Sequence, residues 1–335
     1  MKPSSSPEPK PIGGFFELEF EAAGTPVHPR ASALSTGRSC LYAIVEYLKP
    51  KRCYLPHYTC NATLDPFHEL GVEVLFYELD AELRPRNIPQ LAAGDCFLLT
   101  NYWGLQRELC AELSARLGQQ LIVDDTHDFH AEGPYPTSWS FTSARKYFGV
   151  PDGAFLYIPD GVSEDQVVPA DTPSFENISV RHAASRSAGL QQLAFREYQA
   201  YERSLPCGLY RISHYSRAML AKLNLGAAQE RRRENFLQMA QALGEYNTLN
   251  MPASEDASPF VYPFLPAQTL KKSEYYSQRI FVPTYWPDVL QRSGVTCETA
   301  LAVTANLIPF PIDHRYGPND MQRMVDLTLE LLGNP

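Results

Sequence analysis

Asp95-Cys96-Phe97-Leu98-Leu99-Thr100 and Gln120-Leu121-Ile122-Val123-Asp124 are two short apolar runs, and Glu108–Leu117 between them carries helical apolar spacing. A short apolar run ending at a polar residue reads as a buried strand, and two of them joined through one helix make a parallel crossover unit. The alternation continues on both sides. Upstream, the spacing predicts a helix over Cys40–Leu48, a strand over Arg52–Pro56, a helix over Thr59–Leu70 and a strand over Val72–Tyr77. Downstream, Phe155-Leu156-Tyr157-Ile158 predicts a further strand at the edge of the sheet. Strands alternating with helices predict an α/β chain built on a mostly parallel central sheet flanked by helices.

At 335 residues the chain exceeds the usual single-domain size, so a large and a smaller domain are expected. The texture changes after Gly161. Gln191–Leu205, His214–Leu225 and Ala228–Tyr246 read as amphipathic helices, Phe260–Leu265 and Arg279–Val282 as strands, and Cys297–Leu301 and Asn319–Leu332 as helices. Turn-forming residues gather over Tyr246–Ser258, which places a large domain at 13–245 and a small C-terminal α/β domain at 246–335. The Ser- and Pro-rich opening predicts a disordered tail over 1–12, before an abrupt apolar entry at Gly13–Phe20.

The net charge of −9 leaves no general basic footprint for nucleic acid. No apolar run has the length of a membrane span, and the N-terminus lacks a signal-peptide pattern. The seven cysteines are odd in number and include no CxxC pair, which reads as reduced thiols in a cytoplasmic protein.

In a doubly wound sheet, ligands bind beyond the carboxyl ends of the strands. Asp124 stands there, in Asp124-Asp125-Thr126-His127-Asp128-Phe129-His130. Three readings are open for it: a helix cap, a metal site using Asp124, Asp125, His127 and His130, or a carboxylate pairing with a protonated ring nitrogen. Lys146 follows Ser143-Ala144-Arg145 and precedes a loop with two glycines and a proline. Lysine condenses with aldehydes when its surroundings lower its pKa, although most lysines are solvated surface charges. The turn Ser35-Thr36-Gly37-Arg38-Ser39 opens a helix and offers backbone N–H groups to an anion; an ordinary capped helix start is its plainer reading. Asn101, after a strand, either faces a ligand or forms a turn. Arg315 and Tyr316, in Asp313-His314-Arg315-Tyr316, either meet an acidic substrate or lie in a solvated loop. Tyr275-Tyr276 and Tyr285-Trp286 either shape a substrate pocket or fill the core. An anion turn, a strand-end acid and a lysine together suit a phosphate, a ring nitrogen and an aldehyde, the three groups of pyridoxal phosphate (PLP).

Four segments carry a family resemblance: Asp124-Asp125-Thr126-His127, Lys146 ahead of Gly153-Ala154, Gly37-Arg38-Ser39-Cys40-Leu41, and Pro56-His57-Tyr58-Thr59. With them the chain, from Gly13 to its last helix, resembles the PLP-dependent fold-type I enzymes of the DegT/DnrJ type, the nucleotide-sugar aminotransferases, in a divergent branch. The resemblance implies Lys146 as the residue bonded to PLP and Asp124 as partner of the ring nitrogen. It implies His127 at the phenolic oxygen, and Gly37, Arg38, Ser39 and Ser143 around the phosphate. It implies a keto-sugar acceptor and an amino donor as substrates, no metal, a role in polysaccharide or secondary-metabolite biosynthesis, and a homodimer. Three departures stand out: Phe141 replaces a phosphate-binding serine, Cys60 replaces the ring-stacking aromatic and leaves that role to Tyr58 or to no residue, and the Asn-Tyr-Arg segment that reaches the partner subunit is not recognisable, with Ser213–Arg217 in the corresponding region as its replacement. Another PLP reaction such as sugar dehydration, an inactive regulatory homologue, and a metal hydrolase are the competing readings.

Overall fold

The computed structural model describes residues 26–249, 251 and 257–333; the expected tail and the Gly13–Phe20 entry lie outside them. Strands β1 (Ser32–Leu34), β2 (Arg52–Pro56), β3 (Glu73–Tyr77), β4 (Asp95–Thr100), β5 (Leu121–Asp124), β6 (Trp139–Ser143) and β7 (Ala154–Tyr157) form one sheet in the order β1-β7-β6-β5-β4-β2-β3. The pairs β2/β3, β2/β4, β4/β5 and β5/β6 are parallel, and β6/β7 and β1/β7 are antiparallel. Helices α1 (Gly37–Leu48), α2 (Asn61–Glu69) and α3 (Arg107–Leu117) precede β2, β3 and β5.

Both faces of the central strands are buried, as a sheet covered by helices on two sides requires. Side chains alternate along a strand. Leu98 and Ile122 therefore join one core with Ile44 and Val45 of α1, while Phe97, Leu99, Leu121 and Val123 join another with Leu113 of α3.

After the sheet come α4 (Glu164–Val167), α5 (Arg181–Ser187), α6 (Gln191–Ser204), α7 (His214–Leu220) and α8 (Leu225–Leu243). The C-terminal part holds β8 (Val261–Phe264), α9 (Lys272–Ser277), α10 (Asp288–Gln291), α11 (Glu298–Asn306), β9 (Ile308–Pro311) and α12 (Pro318–Leu331), with β8 and β9 antiparallel. On the large-domain side of the expected boundary, α8 buries Phe236, Met239 and Leu243 in one cluster with Phe264, Phe310, Met321 and Val325.

Several expected elements differ. Arg279–Val282 is not a strand: Arg279 has φ 58, which turns the chain, while Ile280 and Val282 still bury in the C-terminal cluster. The helix expected over His214–Leu225 stops at Leu220, because Asn224 starts α8 by accepting from the Ala227 amide at 3.0 Å. The β6–β7 pair is inside the sheet, since β1 covers β7. Ile122 is fully buried at the centre of the sheet. Ile122→Ala is expected to cost about 2–5 kcal/mol of stability, read as a fall in the urea midpoint without a change in slope.

Candidate active site

β5 ends at Asp124, and the chain then turns so that successive carboxylates face different surroundings. Asp124 Oδ1 accepts from the Thr126 amide at 3.0 Å and from the Thr126 hydroxyl at 2.6 Å. No protein donor meets its Oδ2 among the described residues. Asp125 instead accepts from Asn101 Nδ2 at 2.8 Å, and burial together with the charge of Asp128 pushes its carboxyl well above the usual carboxylate range. Asp128 is ion-paired with Arg107.

Lys146 ends the short turn after β6. Its Nζ lies 3.0 Å from Thr126 Oγ1 and 3.0 Å from His127 Nε2. Burial lowers the amine's pKa; the charges of Asp124, Cys60 and Glu202 oppose that shift and Arg145 adds to it. His127 is buried, and the loss of water together with the Lys146 charge holds its imidazole well below the usual histidine range. Its Nδ1 accepts from the Trp103 amide at 3.2 Å. Trp103 stacks on its ring at 5.2 Å and Phe260 at 4.8 Å.

The Gly37 turn lies beside this group, since a Cβ on Gly37 would sit 3.6 Å from the Thr126 methyl and 3.4 Å from the Phe141 ring. Thr36 caps α1 by accepting from the Ser39 amide at 3.2 Å. The Gly37 and Arg38 amides meet no acceptor among the described residues. The structure thus gathers Lys146, Asp124, His127 and Gly37 around Thr126, whose hydroxyl the sequence reading assigned no part. The signal was a hydroxyl two residues beyond a strand-end acid.

Other expected residues are engaged elsewhere. Ser39 Oγ donates to Gly208 O at 2.7 Å and contacts Ser35 Oγ at 2.7 Å. Ser143 Oγ donates to Gly153 O at 3.4 Å, and the Arg38 guanidinium pairs with Asp65 at 3.6 Å. Besides Asp125, Asn101 serves the turn, accepting from the Gln106 amide at 2.8 Å. The Tyr58 ring is fully buried against Trp286 at 4.9 Å and Tyr102 at 5.4 Å, so it offers no open face. Arg315 makes a two-point pair with Asp313 and lies over the Tyr316 ring at 5.3 Å. Ser213 and Ser216 donate to the buried carboxylate of Asp152, which ties the loop after Lys146 to α7. The metal reading does not assemble: both His127 nitrogens are engaged, Asp125 and Asp128 face Asn101 and Arg107, and no group of three or more ligating side chains gathers among the described residues.

The residues present fit PLP at three points. Lys146 offers an amine, Asp124 Oδ2 is open to a protonated nitrogen, and the Gly37 and Arg38 amides stand at a helix N-terminus for a phosphate.

No family model matches the chain, and no curated protein matches it. Solved structures do. The sugar aminotransferase CalS13 from Micromonospora echinospora is 13% identical with a TM-score of 0.63, over 90% of this chain and 87% of that one. A DegT/DnrJ/EryC1/StrS aminotransferase from Brucella abortus is 14% identical at 0.60, over 89% and 84%. NtdA from Bacillus subtilis, solved with bound cofactor PMP, is 12% identical at 0.64, over 90% and 73%. The chain therefore has the fold of the DegT/DnrJ-type sugar aminotransferases, that of the PLP fold-type I enzymes.

Because the Asp124 charge favours the ammonium, removing it lowers the Lys146 pKa further. Asp124→Asn is expected to move the pH profile of Lys146 acylation in the cofactor-free protein toward lower pH, followed by peptide mass mapping across pH.

Proposed function

We propose that this chain is a PLP-dependent aminotransferase that moves an amino group from an amino donor to a keto sugar, carried on a nucleotide. The observation that carries the reading is Lys146 Nζ, its pKa lowered by burial, in a hydrogen-bonded group with the strand-end carboxylate of Asp124. The fold shared with sugar aminotransferases supports the substrate class, and the PMP named for NtdA supports the cofactor.

PLP, when bound, supplies an aldehyde that condenses with a primary amine and a pyridinium ring that withdraws electrons from the carbon next to that nitrogen. Lys146 Nζ would hold the aldehyde, Asp124 Oδ2 the ring N–H, His127 Nε2 the phenolic oxygen, and the Gly37 and Arg38 amides the phosphate. A carboxylate against the ring nitrogen keeps it protonated. Once displaced by substrate, Lys146 takes the proton from the substrate carbon that bears the amino group and returns one across the site, which needs an amine that is free base at working pH. Burial shifts the amine toward that condition. Trp103, Phe260 and Trp286, packed around His127, keep water from this side of the amine.

Two copies would make the working unit. The resemblance implies a homodimer, and α6 with its approach exposes Leu190, Leu193 and Phe195 while sending Glu202 to pair with Arg145, next to Lys146. Light scattering is expected to give twice the chain mass; an active monomer overturns the dimer.

Protein mixed with PLP is expected to develop a near-visible absorbance band that borohydride abolishes while fixing the cofactor to Lys146. Lys146→Ala is expected to lack the fixed adduct and to lose turnover by about 10³-fold or more, the order that positioned acid–base catalysis supplies. Asp124→Ala is expected to hold PLP poorly. No band, or a reducible band that persists in Lys146→Ala, sinks the proposal. Formation of the aminated sugar, and not of a dehydrated one, separates transamination from sugar dehydration.

A further inference from the structure

We propose that Trp103 is a positioning residue: its backbone amide fixes His127 as the Nε2–H tautomer and so aims a proton at Lys146 Nζ. The inference rests on Lys146 and His127 forming the reactive centre, as proposed above, but its argument comes from hydrogen-bond polarity alone.

An amide N–H can only donate, so the nitrogen it meets must carry a lone pair. The Trp103 amide lies 3.2 Å from His127 Nδ1. A neutral imidazole then carries its proton on Nε2. That nitrogen is 3.0 Å from Lys146 Nζ, and two N–H groups cannot share one line. Nζ must therefore accept, which only the free-base amine can do. Its own N–H points to Thr126 Oγ1 at 3.0 Å, and that hydroxyl donates to Asp124 Oδ1 at 2.6 Å. Every proton in the chain Trp103–His127–Lys146–Thr126–Asp124 runs one way. Were Nζ an ammonium, Nε2 would have to accept while Nδ1 also accepts, which would demand an imidazolate. When the amine is engaged with a carbonyl compound, the same Nε2–H is free to donate to a neighbouring oxygen.

The local backbone serves this contact. Trp103 has φ 62 and ψ 4, which swings its amide toward the imidazole, while its carbonyl accepts from the Phe260 amide at 2.9 Å. Gly104, with φ +77, follows; a Cβ there would sit 2.5 Å from His127 O. On the far side, the Tyr147 hydroxyl donates to that same carbonyl at 2.5 Å. The ring and its backbone are thus held from both sides. The charged and titratable groups that bear on Nζ are Asp124, Cys60, Glu202, Arg145 and His127.

The test is the nitrogen–proton correlation spectrum of the histidine rings in cofactor-free protein near neutral pH, with the His127 signals identified by their loss in His127→Gln. Neutral His127 protonated on Nε2 alone is the expected result; an Nδ1–H tautomer or a charged ring overturns the proposal. Trp103→Phe keeps the amide and is expected to keep the tautomer. Gly104→Ala pushes the turn off His127 and is expected to give mixed tautomers and to slow Lys146 acylation at neutral pH by about tenfold, as a rise of about one pKa unit would. An unchanged spectrum and rate in folded Gly104→Ala refute the positioning role. None of these readouts needs PLP, so they fail or succeed independently of the cofactor proposal.

Discussion

An amine kept out of water is the constraint on which the rest of the structure turns. Removing Lys146 from solvent disfavours its ammonium, and the neutral amine then needs one donor and one acceptor at defined places. The sheet provides both. Parallel pairing of β5 and β6 sets Asp124 opposite Phe141, and the Asp125 amide donates to Phe141 O at 2.9 Å, which locks the Thr126–His127 turn against the end of β6. The short turn after β6 brings Lys146 back over that junction. The first turn of α1 closes it from the side through Gly37.

Holding that arrangement costs something elsewhere. A tryptophan in the left-handed region costs about 1–3 kcal/mol and persists only where its surroundings over-determine it. Here they do. The Trp103 ring is fully buried among Tyr58, His127, Tyr285 and Trp286, and its amide and carbonyl are both bonded. Behind Tyr147, the buried guanidinium of Arg232 lies 4.3 Å from the ring and donates to Phe260 O at 3.0 Å. Tyr147 and Phe260 both touch His127, so a cation without a carboxylate hydrogen-bond partner among the described residues braces two of the walls of the site.

The central strands were legible because burial on both faces writes an uninterrupted apolar run, as in Phe97-Leu98-Leu99 and Leu121-Ile122-Val123. The strand-end positions of Asp124 and Asn101 followed from those runs. β6, Trp139-Ser140-Phe141-Thr142-Ser143, carries the alternation of a strand but lacks the uninterrupted apolar run of its neighbours, and β1, with three residues, is too short to show a period. The side-chain partners were not legible. Ser39 looks free in the sequence, yet its hydroxyl goes to Gly208; Arg315 looks free, yet Asp313 holds it. Hydrogen bonds between residues far apart in the chain leave no local pattern. The Asn101 side chain was drawn away by the Asp125 carboxyl, a neighbour only once β4 and β5 pair.

These side chains share a physical character. Ser39, Ser143 and Asn101 each hold backbone or a buried acid. The groups left unengaged are ones that the backbone itself places: the Gly37 and Arg38 amides at a helix start, and Asp124 Oδ2 at a strand end. A helix N-terminus attracts an anion whatever side chains follow it. The Phe141 ring, 3.4 Å from where a Cβ on Gly37 would sit, leaves those amides open. A carboxylate and an amine, by contrast, have no backbone substitute, since no main-chain group carries charge or forms a covalent bond to an aldehyde. Lys146 and Asp124 are therefore the two positions of the proposed site whose part the main chain could not take over.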